Sequence, residues 1–565
     1  MENREISRML AETAKIMELH NANEFKVRSF QNAAFAIGKL EAPLKEMSPE
    51  DMSLVKGIGK SLSQKIVELL NTGVLQELEE YMKDTPMGVV EMMRIKGIGP
   101  KKVAVLWKEL GVESPGELLY ACNENRLIEL KGFGQKTQDQ IRSAIEYANS
   151  QKGFFHYAAL EKLAVEILKE LNQTAPFFNS VLTGNIRRKC EVLTEIEILS
   201  EGELNQQTID KLSALKIFSG FDFLQNEKGI LYHNEEGIKI QFYFSGKEEF
   251  TKTLFLTTGN SEHLSKLQEI GNYSEFHKNS YTSELEIYNF LNLQFIEPEL
   301  REGLHEVDLA LKKEIPELIN FTDLRGSLHN HSTYSDGIHS LKDMAVACKN
   351  LGYEYLGICD HSKSAFYANG LREDRILQQH QEIDQLNIEL SPFRIFKGIE
   401  SDILHDGSLD YDPAVLKQFD FIVASVHSGL KMNEDKATER LLKAIANPYT
   451  TILGHPTGRL LLARQGYPID HKRIIDACAE NNVVIELNAH PYRLDLDWRW
   501  IQYAIQKNVM ISINPDAHKV EGYHDMYYGV CVARKGMLTK SMTFNALSGD
   551  DVNNYFITRK QNLLK

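Results

Sequence analysis

The stretch Leu324-Arg-Gly-Ser-Leu-His329-Asn-His331-Ser-Thr-Tyr-Ser-Asp336 decides how the C-terminal part of this chain folds. Its first five residues read as a short buried strand. Two histidines one residue apart and a carboxylate follow at once, where a strand gives way to a loop. The same order recurs downstream. Apolar runs at Tyr355–Cys359, Arg394–Ile399, Phe419–Val426, Thr451–Gly454, Val483–Leu487 and Val509–Ile513 read as further strands. Helical periodicity lies between most of them, at Leu341–Asn350, Arg375–Leu390, Ala437–Ala446, Arg473–Asn481 and Trp500–Lys507. Strands alternating with helices build a parallel sheet with helices around it. Seven such units predict a distorted (β/α)7 barrel.

Each strand but the sixth is followed by residues that bind metals. His329, His331 and Asp336 follow the first, His361 the second, Glu400 the third and His427 the fourth. His455 follows the fifth, and Asp516 and His518 follow the seventh. Residues beyond strand C-termini line the mouth of a barrel. A single histidine there is ordinarily just hydrogen-bonded; nine ligand-type side chains from six strands are expected to converge. Imidazoles and carboxylates without thiolate suit Zn2+, Mn2+ or Fe2+. A carboxylate such as Glu400 can bridge two cations, and clustered cations acidify water and clamp a phosphoester.

The motifs are His329-Asn-His331 with Ser335-Asp336-Gly337, Asp360-His361-Ser362, Gly398-Ile-Glu400, Ser425-Val-His427-Ser428, Gly454-His455-Pro456 and Pro515-Asp516-Ala-His518. Together they resemble the PHP (polymerase and histidinol phosphatase) domain, with every ligand position of that family filled. The resemblance implies three divalent metals, Mn2+ or Zn2+, with Fe2+ a third choice. It also implies 3′–5′ exonuclease, 3′-phosphatase or abasic-site endonuclease chemistry, with a metal-activated water among His329, His331, Glu400 and Asp516. Arg459, near His455, reads equally as a phosphate contact or a surface salt bridge.

The N-terminal part carries a repeat: Val55-Lys-Gly-Ile-Gly-Lys60, Ile95-Lys-Gly-Ile-Gly-Pro100 and Leu130-Lys-Gly-Phe-Gly-Gln135. In each, two glycines permit a tight turn and leave the N–H groups of the next helix exposed. Such a nest holds a phosphate without reading sequence. Gly57, Gly59, Lys60, Gly97, Gly99, Lys101, Gly132 and Gly134 are therefore expected to contact phosphate, which the following resemblance implies to be that of DNA. The three copies resemble helix-hairpin-helix DNA-binding motifs.

Between repeat and barrel, Val181-Leu-Thr-Gly-Asn-Ile-Arg-Arg188 leads into Leu193-Thr-Glu-Ile-Glu-Ile-Leu199. Alternation predicts a strand over 193–199 with Glu195 and Glu197 on one face. The region resembles the nucleotidyltransferase signature of family-X DNA polymerases, and bacterial members match further at Leu256–His263 and Ile296–Glu302. The departures are specific. That family places aspartates at the positions of Glu195 and Glu197, and a third at Gln241. Magnesium demands near-ideal octahedral geometry, so the reading predicts templated nucleotide addition to be absent or very weak. Arg187 and Arg188 are then expected to grip DNA. In the same family's lyase domain, Lys26 would bind a 5′-phosphate and Lys65 would form a Schiff base; the alternative for Lys65 is a solvated lysine.

The chain has 42% hydrophobic and 25% charged residues, the balance of a soluble globular protein. No apolar run is long enough to span a membrane, and no signal-peptide core follows Met1. Six scattered cysteines suit a reduced cytoplasm. A net charge of −15 weighs mildly against nucleic acid, but local charge and backbone donors are what bind phosphate.

The expected architecture is multidomain. A helical lyase-like domain spans 1–85 and a second helix-hairpin-helix domain 86–150. An α+β palm and thumb span 151–303, a largely helical linker 304–323 and the barrel 324–565. The expected function is a DNA-binding, metal-dependent phosphoesterase of DNA repair, acting on gapped, nicked or 3′-ended DNA. The alternatives are a histidinol-phosphate-type small-molecule phosphatase and an active family-X repair polymerase with a proofreading PHP domain.

Overall fold

A computed structural model describes residues 1–40, 42–95, 97–128, 130–150, 153–174 and 179–562. Lys96, in the second glycine turn, lies outside the described residues. The chain divides into two compact units, Met1–Glu146 and Tyr147–Lys565.

The first unit is all helical. Helices Asn3–Leu19 and Glu24–Gly38 bury Ile6, Leu10, Ala14, Met17, Phe30, Ala33 and Ile37 in one core. The spacing of three and four puts these side chains on one face of each helix. Asn23 caps the second helix by accepting from the N–H groups of Phe25 and Lys26. The three glycine turns share one geometry. Gly57, Gly97 and Gly132 take φ of +104°, +94° and +88°, a region that favours glycine. Helices Lys60–Thr72 and Pro100–Leu110 then start at Gly59 and Gly99 without a side-chain cap.

The second unit holds two large sheets and a two-stranded ladder. In the first, β1 (Ser180–Leu182), β2 (Ile196–Glu201), β3 (Phe221–Asn226), β4 (Gly229–Asn234) and β5 (Lys239–Ser245) lie in the order β1-β2-β5-β4-β3. The strand expected over 193–199 is interrupted. Val192–Leu193 pairs with Phe155–His156, and β2 starts at Ile196, so Glu195 precedes the strand that carries Glu197. The expected linker is also different. Only Glu306–Lys312 of 304–323 is an α-helix, while Val307, Ala310, Ile315 and Leu318 pack with Phe255 and Tyr288. That packing holds the segment in place.

The second sheet has seven parallel strands in sequence order: β6 (Gly326–Ser327), β7 (Tyr355–Ile358), β8 (Arg394–Asp402), β9 (Phe421–Ser425), β10 (Ile452–Leu453), β11 (Val484–Asn488) and β12 (Ile511–Asn514). It curls until its ends meet. Asn330 bridges Ala517, and the His331 N–H donates to the Ala517 carbonyl at 2.9 Å. Inside, Leu328, Tyr355, Phe396, Phe421, Ile452 and Val484 form an apolar layer. Phe556, from the C-terminal helix Gly549–Asn562, stacks on Phe421 with ring centroids 5.0 Å apart. One end of the barrel is thus filled with hydrocarbon.

The two sheets are joined through helix Met526–Lys535. Buried Lys535 donates to the carbonyls of Arg188 at 3.0 Å and Glu299 at 3.3 Å, and pairs with Glu302. Tyr527 donates to Glu161 at 2.7 Å. His156 meets the Leu461 carbonyl at 3.0 Å, and its ring lies 4.1 Å from that of Tyr492.

Candidate metal centre

The nine ligand-type residues meet at the opposite end of the barrel. None of His329, His331, His361, Glu400, His455, Asp516 and His518 exceeds 4% exposure, and Asp336 and His427 are nearly as buried. Glu400 is the hub. Its Oε1 lies 3.1 Å from Nε2 of His427, 3.1 Å from Nε2 of His455 and 3.3 Å from Nε2 of His329. Its Oε2 lies 2.9 Å from Nδ1 of His361 and 3.7 Å from Nε2 of His331. Strand β8 runs on past Ile399, so Glu400 stands inside the strand rather than beyond it.

Three overlapping donor sets surround this hub. His331, Asp336, His361 and His518 form one, His329, His331 and Asp516 another, and His361, Glu400 and His427 a third. Within each set the donor atoms lie within 4.8 Å of one another. His329 Nε2, both ring nitrogens of His361 and Glu400 Oε2 are buried without a hydrogen bond. Buried polar atoms are normally satisfied, and divalent cations would satisfy these. The donor set therefore fits divalent metal ions.

The electrostatics agree. Burial would push Glu400 up, but His427, His329 and His361 outweigh it and hold its carboxyl well below the usual range. Asp516 is depressed in the same way, burial being overcome by His329 and His331. Burial also opposes charge on His427, yet Glu400 and Asp402 raise it to about 9. His331 goes the other way: burial, with His518 and His361 beside it, lowers it to about 3.

Residues behind the donors aim them. Glu486 accepts from His329 Nδ1 at 2.7 Å, and Asp402 accepts from His427 Nδ1, so each ring presents Nε2 to the centre. Asp360 takes N–H donors from Ser332 at 2.8 Å and Ser335 at 3.1 Å, clamping the loop that carries His331 and Asp336. Gly337 closes that loop, where a Cβ would stand 2.8 Å from the His331 carbonyl. Asp516 sits at φ +54°, and the Asn488 amide donates to its Oδ2 at 3.1 Å. Carboxylates behind metal-ligating histidines fix their tautomer and orientation. Glu486 and Asp402 belong to none of the sequence motifs above. The available signal was a carboxylate inside an otherwise apolar buried strand.

Comparison with known proteins follows the same division. Residues 1–75 match the Helix-hairpin-helix domain family, 89–146 the SAM-like Helix-hairpin-helix tandem and 327–490 the PHP domain. A DNA polymerase/3′-5′ exonuclease PolX of Bacillus subtilis is 36% identical over 569 residues, 98% of this chain and 99% of that protein. The chain belongs to the PolX family. A probable phosphatase of Acetivibrio thermocellus is 29% identical over 168 residues, 29% of this chain and 65% of that one. A probable phosphatase of Vibrio atlanticus is 28% identical over 215 residues, 35% of this chain and 79% of that one. The PHP domain of this PolX member is a metal-dependent hydrolase module, as its donor sets and phosphatase relatives show.

The palm-like sheet is arranged differently from the barrel mouth. Glu197 Oε2 accepts the Asn185 N–H at 2.8 Å, and its Oε1 accepts the Tyr243 hydroxyl at 3.1 Å. Gly184 has φ +60°, and a Cβ there would stand 1.8 Å from the Glu197 carboxylate. Gln241, register partner of Glu197, donates to the Phe242 carbonyl at 2.9 Å and accepts from Asn226 at 2.8 Å. Burial, then repulsion from Glu197, raises Glu195. Glu195, Glu197 and Gln241 fall in none of the donor sets found among the described residues.

Several expected DNA contacts are committed elsewhere. Arg187 pairs with buried Glu284 at 2.6 Å. Arg188 is itself buried, bound to Glu302 at 3.2 Å and to the Thr258 carbonyl at 2.7 Å. Both arginines tie the sheet to the helices after it rather than facing solvent. Arg459 donates to Asp497 at 2.6 Å and to the Arg493 carbonyl at 3.0 Å, so it serves as a salt bridge, not a phosphate contact. Lys26 and Lys65 both close on the buried carboxylate of Glu77. The glycine turns are open: a Cβ at Gly59, Gly97, Gly99, Gly132 or Gly134 would meet nothing within 4 Å. The three following helices carry no acid in their first turn.

Proposed function

We propose that this chain is a DNA-repair enzyme whose PHP barrel hydrolyses phosphoesters at DNA 3′ ends, as exonuclease, 3′-phosphatase or abasic-site endonuclease. One observation carries the reading: Glu400 stands within 3.7 Å of ring nitrogens of His329, His331, His361, His427 and His455 at a buried barrel mouth. His329, His331, Asp336, His361, Glu400, His427, His455, Asp516 and His518 would hold three divalent metals, Mn2+ or Zn2+, with Fe2+ also suited. Bound there, such metals supply Lewis-acid polarisation and an acidified water. The chain's own residues do the rest. Glu486 and Asp402 hold His329 and His427 with Nε2 inward, Asn488 orients Asp516, and Asp360 fixes the first ligand loop.

DNA enters the reading through the N-terminal unit. Two helix starts without a side-chain cap, and a third that like them has no acid in its first turn, make phosphate nests, with Lys60 and Lys101 beside the first two. The full-length relative is a polymerase/exonuclease by name, whereas the probable phosphatases match about a third of the chain. That favours DNA over a small phosphate ester. It also favours the alternative of an active repair polymerase with a proofreading PHP domain over loss of polymerase activity. The arrangement of Glu197 and Gln241 then bears on rate, and we read the palm as a slow polymerase. Lyase chemistry at Lys65 is the weakest part, since Glu77 already engages it. The domain boundaries at 85, 150, 303 and 323 and a cytoplasmic location complete the proposal. Mn2+-dependent shortening of a 3′ end that disappears in a His331→Ala/Asp516→Ala variant tests it; intact shortening in that variant overturns it.

A further inference from the structure

The loop after His361 holds an aromatic side chain that the chain leaves uncovered. Phe366 is 84% exposed, yet the loop that carries it is tightly held. At its base, the Leu371 N–H donates to the His361 carbonyl at 2.8 Å and the Ser362 N–H to the Glu400 carbonyl at 3.0 Å. The Ser364 N–H donates to Asp410 at 2.6 Å, and the Tyr411 hydroxyl donates to the Leu371 carbonyl at 2.5 Å. Gly370 lets the two strands of the loop close, since a Cβ there would stand 1.9 Å from the Ser362 carbonyl. Ala365 and Ala368, on either side of the tip, are buried. The next ring in sequence, Tyr367, lies 6.3 Å from the ring of His361, one of the metal-type ligands. Basic Lys363 and exposed Arg372 flank the loop.

A free aromatic ring on a mobile loop would fold back onto apolar surface, because burying a Phe side chain gains roughly 1.5–3 kcal/mol. The anchors at both ends of this loop deny Phe366 that escape. It is therefore a preorganised apolar face, one residue from Tyr367, whose ring centroid lies 6.3 Å from that of His361. The substrate class offered to that centre contains planar rings joined to phosphoesters. Every nucleobase has a face that can stack on an aromatic side chain, whatever its sequence.

We propose that Phe366 is a substrate-positioning residue that stacks on an unpaired nucleobase beside the scissile phosphoester. This rests on the reading of the barrel as a DNA phosphoesterase. Stacking selects a ring rather than a sequence, so the preference is for an unpaired base of any identity.

The test uses the full chain with Mn2+ and two single-stranded oligonucleotides, one normal and one abasic at its last three nucleotides. Phe366→Ala should raise KM on the normal strand about tenfold with little change in kcat, and Phe366→Trp should restore it. On the abasic strand the wild-type chain should lose that advantage and match Phe366→Ala. An equal loss on both strands, or an unchanged KM on the normal strand, would overturn the assignment while leaving the phosphoesterase reading intact. A wild-type chain that hydrolyses p-nitrophenyl phosphate but shortens neither strand would overturn the DNA reading and this assignment together.

Discussion

Glu486 Oε2 lies 2.7 Å from Nδ1 of His329, and both side chains are completely buried. The same carboxylate accepts the His455 N–H at 3.1 Å and the amides of Asn514 at 3.0 Å and Asn488 at 3.3 Å. Strand β11 supplies no ligand-type residue to the cluster, but through Glu486 it orients those of its neighbours. Replacing such a carboxylate typically costs 10- to 100-fold in metal affinity. Glu486→Gln should therefore weaken Mn2+ binding about tenfold while the fold holds, as read by calorimetric titration. Glu486→Ala should also lower stability by about 1–3 kcal/mol, because buried donors lose their acceptor. Unchanged Mn2+ affinity in Glu486→Gln would show that His329 needs no such partner.

The metal-free centre has a defined pH window. His427 is raised to about 9, above the ~6.5 of an unfolded histidine. Its contribution is complete below pH ~6.5 and is lost as pH rises through about 9. Glu400 and Asp516 are depressed, so theirs is present above the unfolded carboxylate range and lost as pH falls through their lowered values. In EDTA, Tm should be highest near pH ~6 and decline toward pH ~9. Added Mn2+ should abolish the alkaline decline by replacing the proton. Parallel Tm curves with and without Mn2+ would contradict this.

Lys535 is 4% exposed and carries its charge into the junction between barrel and palm. Burial would push Glu302 up, but Lys535 and Arg188 outweigh it and hold it below the usual carboxylate range. Removing one partner of a buried pair costs about 3–5 kcal/mol. Lys535→Met should lose stability of that order in urea unfolding, with the barrel's metal content unchanged. A change below about 0.5 kcal/mol would place the junction's strength elsewhere.

The nine ligand-type residues were legible because each follows, or closes, a strand whose apolar run is plain in the sequence. Their partners were not. Glu486 sits within Val484–Asn488, a strand that otherwise reads as core, and nothing local tells which carboxylate a neighbouring histidine will find. Arg187, Arg188 and Arg459 show the converse. A positive charge in sequence carries no direction, and the acids that claim these side chains, Glu284, Glu302 and Asp497, are distant in the chain or arrive by folding. The expected strand through Glu195 failed because Leu193 pairs with Phe155 in a separate ladder. The segment 304–323 is less helical than its pattern reads because its apolar residues pack around Phe255 and Tyr288 instead of extending one helix.

For the palm, Gln241 is the informative position. It faces Glu197 across the β2–β5 register. A carboxylate there would supply the third acid that metal-assisted phosphoryl transfer uses. Wild-type protein should extend a gapped primer slowly with dNTPs, and Gln241→Asp should raise that rate at least about tenfold. The amide now bonds to the carbonyls of Ile230 and Phe242, so Tm of the variant is read alongside. No gain in a folded variant would locate the limit at Glu195 and Glu197 instead.

The central claim is that the barrel mouth cuts DNA. The most direct measurement follows a 5′-labelled strand in gapped DNA with Mn2+ and no dNTPs, for wild type and for His331→Ala/Asp516→Ala. Progressive 3′ shortening or 3′-dephosphorylation by wild type, reduced at least about a thousandfold in the variant, is the predicted result. Shortening that persists in a folded variant would place the nuclease outside the cluster around Glu400 and contradict the account.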